Sequence, residues 1–214
     1  MTNNTLKSMK NSFQLNEKLE YILNHTFLVL IGIIIISFLI RVLFVDLSVP
    51  FTADSMQYFF YAVDISVLGN LPTNYALANN FWPIFTSLFF SIAETENTIS
   101  YIEIQRLLSI SLSVLTIIPV FLLCKKYFDK SYSIIGAAIF AFEPRLIHNS
   151  LLGITEPLYI LLGTCTLVLF SSSNKKLVYS SFILAALMSM TRSEGIVIFA
   201  ALSIMFLVRY RKER

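Results

Sequence analysis

Charge is the scarcest property of this sequence. Asp, Glu, Lys and Arg make up 14% of its 214 residues, against about 25% in soluble domains. Together with 56% hydrophobic residues and nineteen phenylalanines, that shortage excludes an ordinary water-soluble domain. Cysteine is nearly absent too. Cys124 and Cys165 both lie inside apolar runs and form no CxxC spacing, so no disulfide framework is visible. They read as small buried hydrophobes. No His, Cys or Asp cluster has metal-ligand spacing. No Walker loop, GxGxxG or GxSxG segment occurs, which leaves soluble nucleotide chemistry without support. The first 25 residues are polar and mixed in charge, unlike a cleavable signal peptide.

What the chain has instead is a series of apolar runs. The first, "TFLVLIGIIIISFLIRVLFV" at 26–45, is about 20 residues long. At about 1.5 Å per residue that matches a bilayer core of about 30 Å. Further runs lie at 107–124, 132–148, 157–171, 177–190 and 195–208. The fold expected is all-α: a polytopic integral-membrane helical bundle of about six transmembrane helices. The 13-residue piece "FWPIFTSLFFSIA" at 81–93 suits an interfacial or re-entrant helix better than a span.

The lysines support that count. All nine fall in four places: Lys7, Lys10 and Lys18; Lys125, Lys126 and Lys130; Lys175 and Lys176; and Lys212. With six spans, all four places share one side, which the positive-inside rule makes cytoplasmic. A seventh span at 81–93 would scatter them over both sides. The N-terminal segment 1–25 and the tail 209–214 are thus both expected in the cytoplasm. Topology accounts for these bases, and no nucleic-acid partner is implied. By contrast, 46–105 contains no Lys or Arg but carries Asp46, Asp54, Asp64, Glu94, Glu96 and Glu103. It reads as a long, acidic, aromatic external loop with helices at the membrane surface. In it Met56, Phe59, Phe60 and Val63 recur at helical spacing, and Gly69 to Pro72 close the helix.

The bases left on the outer half are Arg41, Arg106, Arg145 and Arg192. A guanidinium fork binds phosphate or carboxylate in a bidentate way. These residues point to a phosphate site at the outer interface, or to headgroup snorkelling and pairing with Glu143 and Glu194. Glu156 and Glu194 sit at the outer starts of helices, where the dipole favours a carboxylate; each also reads as a plain helix cap. Asp54, Glu156, Arg145 and Arg192 come from three external segments that topology places on one face. His148 lies beside them and also reads as a hydrogen-bonded interface residue.

A set of short motifs then recurs in a telling order: Asp54-x-x-x-Tyr58-x-x-x-Ala62, Gly69, "FWPIF", Arg106-Leu107, "CKKYFDKSYSIIGAAIFAFEP", "LIHNSLLGITEPLYILL" and "TRSEGIVIF". Over 27–208 the chain resembles the N-terminal membrane module of the GT-C glycosyltransferases. The similarity is greatest to the branch holding protein mannosyltransferases and aminoarabinose transferases. The resemblance implies transfer of a sugar from a polyprenyl-phosphate carrier to a protein, lipid or glycan acceptor at the external face. It implies Asp54 as catalytic base or metal contact and Glu156 as the second catalytic acid. Arg145 and Arg192 are expected to hold the lipid phosphate, with Tyr58, Glu194 and His148 as further substrate contacts. A divalent metal ion on Asp54 and Glu156 is the one cofactor admitted; the lipid-linked donor and membrane lipids are the implied partners. By analogy the transfer inverts. The chain departs from the pattern at three positions. Ser55 follows Asp54 where many relatives have Asp-Glu, Trp82 replaces a Lys or His, and Glu156 stands where many have Asp. Relatives are also longer. That leaves a fragment, a chain whose partner supplies further helices, or a non-catalytic membrane scaffold retaining the fold. A transporter is disfavoured, because acids and arginines gather on one face with no ionisable residue at the middle of the first, second, fourth or sixth span, and no inverted repeat is evident.

Overall fold

The apolar runs fold as helices, and no strand occurs among the described residues, which are 26–46, 50–73, 75, 77, 79–93 and 97–211 of a computed structural model. Segment 1–25 with Lys7, Lys10 and Lys18, the acids Glu94 and Glu96, and Lys212 lie outside them. In chain order the helices are α1 (Thr26–Phe44), α2 (Ala53–Leu68), α3 (Phe81–Ala93), α4 (Thr98–Leu115) and α5 (Ile117–Cys124). There follow α6 (Lys130–Phe142), α7 (Pro144–Leu151), α8 (Glu156–Phe170), α9 (Lys175–Thr191) and α10 (Gly195–Tyr210). Two stretches are long and apolar enough to cross a membrane: α1, and the 27-residue run Thr98–Cys124 formed by α4 and α5.

Two prolines set the breaks. Pro119 has no N–H for the carbonyl of Leu115, and the helix is interrupted at Thr116 between α4 and α5. The run expected as one helix over 132–148 is in fact two. Glu143, preceding Pro144, is extended (φ −66°, ψ 119°) and ends α6, because the proline ring disfavours the helical region for the residue before it. The Glu143 carboxylate then accepts the Leu146 N–H at 2.6 Å and caps α7. Glu143, Pro144 and Arg145 interrupt the apolar run here, and Pro144 is the local signal for the break.

α2 forms where expected and ends at Gly69 in the left-handed region (φ 67°). Its buried face is rotated from the one expected. Ser55, Phe59 and Ala62 are buried, while Met56 and Phe60 are exposed. Small residues let α2 lie close on α3, and Phe59 meets Phe90 edge-on with ring centroids 5.9 Å apart.

The helices pack in sequence across the molecule. α1 lies against α6 and α4, α4–α5 against α8, α8 against α9, and α9 against α10. One core joins Leu30, Ile33, Ile117, Phe121 and Ala137; a second joins Trp82, Leu112, Leu158, Leu162 and Met188. Arg41 is fully buried between α1, α4 and α6. Its Nη1 donates to the Ala141 carbonyl at 3.0 Å and also to Ser37 Oγ, and its Nη2 donates to Ser113 Oγ at 3.2 Å. The Glu143 break orphans the last carbonyls of α6. Arg41 therefore serves as a C-terminal cap supplied by another helix, with its charge against the negative end of the α6 dipole. Cys124 and Cys165 are free thiols, partly buried.

Candidate functional site

Three turns meet at one end of the bundle, and each is shaped by its sequence. Thr52 caps α2 by accepting the Ser55 N–H at 3.3 Å, which places Asp54 in the first turn. The α7–α8 turn bends at Gly153, whose φ of +69° suits glycine, and delivers Glu156 as the first residue of α8 ahead of Pro157. The α9–α10 turn holds Arg192 extended (φ −150°, ψ 141°) and Glu194 at the start of α10.

A buried polar node fixes these turns to one another. The Gly153 carbonyl accepts from Gln105 Nε2 at 2.7 Å, Trp82 Nε1 at 3.2 Å and Ser55 Oγ at 3.3 Å. Gln105 Nε2 also approaches Ser55 Oγ at 3.2 Å. Gln105, Trp82 and Ser55 are all 0% exposed, and an unmet polar group there costs about 1–3 kcal/mol. A Cβ on Gly153 would lie 3.3 Å from atoms of Gln105, Phe51 and Ser55. The node thus ties α2, α3 and α4 to the turn that carries Glu156. Ser55 and Trp82 are both occupied here in holding the backbone.

The outcome is an open cleft of about 190 Å³ lined by Asp54, Tyr58, Asn79, Thr155, Glu156, Arg192 and Glu194, among others. Arg192 Nη1 donates to Glu156 Oε1 at 2.5 Å and to Thr155 Oγ1 at 3.4 Å. Its Nη2 donates to Glu194 Oε1 at 3.0 Å, and its Nε to Glu194 Oε2 at 3.4 Å. Side-chain exposures of 32% for Arg192, 28% for Glu156 and 60% for Glu194 make Glu194 the easier partner to displace. Hydrogen bonding to Arg192 holds the Glu194 carboxyl below the usual glutamate range, and the same contact raises the Arg192 guanidinium. Burial, followed by the Asp54 carboxylate, pushes the Tyr58 phenol up; Glu156 adds to the rise and Arg192 opposes it. Tyr58 therefore stays a protonated hydrogen-bond donor at neutral pH.

Of the residues expected to act together, Asp54, Tyr58, Glu156, Arg192 and Glu194 share this cleft. Arg145 and His148 do not line it; both are exposed on α7. Arg41 caps α6, and Arg106 donates to the Asp46 carbonyl at 2.6 Å and lies 5.1 Å from the centroid of the Phe51 ring. Among the described residues no three His, Cys, Asp or Glu side chains are arranged to hold a metal ion. The expected metal contacts Asp54 and Glu156 both line the cleft without forming such a set. Sequence reasoning passed over Gln105, Thr155 and Asn79; the one signal for Gln105 is a lone amide at the edge of a long apolar run. Comparison with protein-family models, with curated proteins and with solved structures finds no match.

In Arg192→Gln the Glu194 carboxyl should rise back into the ordinary glutamate range, read by carbon NMR of labelled protein; an unchanged titration would break the pairing. Because the Glu194 pKa is depressed by folding, its contribution is present above the unfolded value and fades as pH falls through the folded one. Trp82→Phe removes one of three donors to the Gly153 carbonyl and leaves a cavity in the core around Leu112 and Leu158, so it should cost about 2–4 kcal/mol, measured by unfolding in detergent. A loss below about 0.5 kcal/mol would contradict this packing.

Proposed function

We propose that this chain is a membrane glycosyltransferase module of the GT-C kind, with its active cleft on the external side of a six-span bundle. The observation that carries the reading is the meeting of Asp54 with Glu156 and Arg192, from three turns far apart in sequence, in one open cleft. These are the acid of the first long loop, the acid after the third apolar run, and an arginine that the family resemblance assigns to catalysis and phosphate binding. Two helices long and apolar enough to cross a membrane support insertion.

In this mechanism the acceptor hydroxyl sits against Asp54. The carboxylate takes its proton as the oxygen attacks the anomeric carbon of the donor sugar. The bond from that carbon to the carrier phosphate breaks, and its electron pair leaves with the polyprenyl phosphate. Arg192 stabilises the charge that develops on the phosphate. Tyr58, kept protonated, donates to a sugar or phosphate oxygen. Arg192 is clamped by two carboxylates before substrate arrives, so the phosphate must displace one, and Glu194 is the more exposed. Glu194→Gln should therefore tighten binding of polyprenyl phosphate by roughly two- to fivefold, the usual worth of an exposed ion pair. Weaker binding would make Glu194 a direct substrate contact.

The test is transfer of radiolabelled sugar from a polyprenyl-phosphate donor by the purified chain in proteoliposomes. Transfer supports the enzyme. Donor binding without transfer supports the second reading, a non-catalytic scaffold, which the double carboxylate clamp on Arg192 favours. Absence of both sinks the proposal.

A further inference from the structure

At the end of the bundle opposite the cleft, the charge reverses. The stretches 125–130, 171–176 and 209–211 carry seven Lys and Arg side chains against one acid, Asp129. Two of these cations cap α8. Lys126 Nζ donates to the Val168 carbonyl at 2.6 Å, and Arg209 donates to the carbonyls of Phe170 and Ser172 at 2.7 Å each. Both thus answer the orphan carbonyls at that helix end. Beside them the Tyr210 ring lies near two charges. The Arg209 guanidinium is 5.4 Å from its centroid and the Lys175 ammonium 5.7 Å. Burial, and after it the Arg209 charge, lower the Lys126 pKa.

An open cleft of about 230 Å³ adjoins this cluster, lined by Phe206, Leu207, Tyr210 and Arg211. It continues an apolar stripe along α10. Ile204, Leu207 and Val208 are 64%, 61% and 71% exposed, and Ile204, Leu207, Val208 and Arg211 stand at i, i+3, i+4 and i+7. That spacing puts them on one helix face. α10 packs mainly on α9, which leaves this face outermost. An apolar stripe that ends in a cation beside a cationic cluster has the layout of an amphiphile, with tail and acidic head in register.

We propose that this end of α10 is a binding site for an acidic phospholipid. Its headgroup phosphate sits on Arg211 beside Lys175, Tyr210 and Arg209, and its acyl chain lies along Leu207, Val208 and Ile204. Charge complementarity decides for a lipid over a partner helix. A helix laid on the same stripe would need acids at this depth, whereas a phosphodiester brings its charge to the end of an apolar chain. The proposal rests on the membrane reading above, but not on sugar transfer.

The test places a reporter on the stripe. Leu207→Trp is made in the full chain and reconstituted with brominated phosphatidylglycerol or brominated phosphatidylcholine, with the signal of the unsubstituted protein subtracted. Quenching by either lipid reports membrane contact. Preferential quenching by phosphatidylglycerol reports the site. We expect a clear preference for the acidic lipid, reduced about fivefold by adding Arg211→Gln and unchanged by adding Lys130→Gln, which removes an equal charge from another turn at this end. Inorganic phosphate at millimolar concentration should not displace the lipid. Equal quenching by the two lipids would overturn the proposal in favour of ordinary annular lipid. Equal losses in the Arg211 and Lys130 variants would overturn it in favour of diffuse charge, and displacement by inorganic phosphate in favour of a free-anion site. No quenching by either lipid, in protein that remains in the vesicles, would mean that protein covers the stripe. Chain that failed to enter the vesicles at all would sink the membrane reading itself.

Discussion

Asp54→Asn should lower sugar transfer by about 10²- to 10⁴-fold, the range for loss of a general base, while leaving the protein folded and inserted. The two expectations differ in size because the proposed catalytic role is separate from the structural one. In the proposed transfer the carboxylate would accept a proton, which a neutral amide cannot do; each tenfold of rate is about 1.4 kcal/mol. In the fold Asp54 is exposed, and the buried residues of that turn are Ser55 and, one turn on, Phe59. What the amide gives up structurally is the carboxylate at the positive end of the α2 dipole, worth about 0.3–1 kcal/mol. A variant with near-native unfolding and near-native turnover would remove Asp54 from the mechanism. One that fails to fold would mean the first turn of α2 is more than a mount for the carboxylate.

Gly195→Ala should be strongly disruptive. A Cβ there would lie 2.7 Å from both the Cα and the N of Ser189, and 2.9 Å from the Met188 carbonyl carbon. These are backbone atoms of α9 and cannot swing aside, so the start of α10 or the turn must move. Overpacking of this kind costs about 1–3 kcal/mol. The turn that would move is the one holding Arg192 against Glu156, so donor binding should weaken along with stability. Gly32→Ala on α1 is the matched control, since nothing lies within 4 Å of its Cβ position. There the substitution should be neutral or stabilising by up to about 1 kcal/mol, because alanine is the better helix former. Thermal unfolding of both variants in the same detergent decides the point, and equal effects would contradict it.

Much of the architecture is legible from the sequence because hydrophobic runs and helix punctuation are local. The edges of α8, α9 and α10 fall within about two residues of the apolar runs, and α3 occupies 81–93 as expected. What was hidden is non-local. The face α2 buries depends on which small residues α3 can approach, and spacing alone favoured the bulkier Met56 and Phe60. Arg41 and Arg106 look like ligands for a phosphate when charges are read along the chain. In space both are taken by backbone carbonyls, because helix ends and breaks leave acceptors that the sequence does not display.

The candidate site divides the same way. Topology groups Asp54, Glu156, Arg145 and Arg192, and Glu194 stands at a neighbouring helix start; of these, all but Arg145 share one cleft. His148 joins them only by its place beside Arg145 in the sequence. The Glu143–Pro144 break starts a new helix, α7, and Arg145 and His148 sit exposed on it. The Gly153 node could not be read from sequence, since it joins residues 48, 71 and 98 positions apart. Yet it holds the α2 carboxylate and the α8 carboxylate in one frame.

The most direct measurement is photo-crosslinking with a polyprenyl-phosphate sugar that carries a photoreactive group on its sugar, followed by peptide mapping of the purified, reconstituted chain. Label should appear on the start of α2 and on the turns around Glu156 and Arg192. It should be lost when unmodified donor is in excess, and be weakened in Arg192→Gln. Label spread along the exposed faces of α1 and α10, and insensitive to competing donor, would contradict the assignment of this cleft as a lipid-linked sugar site.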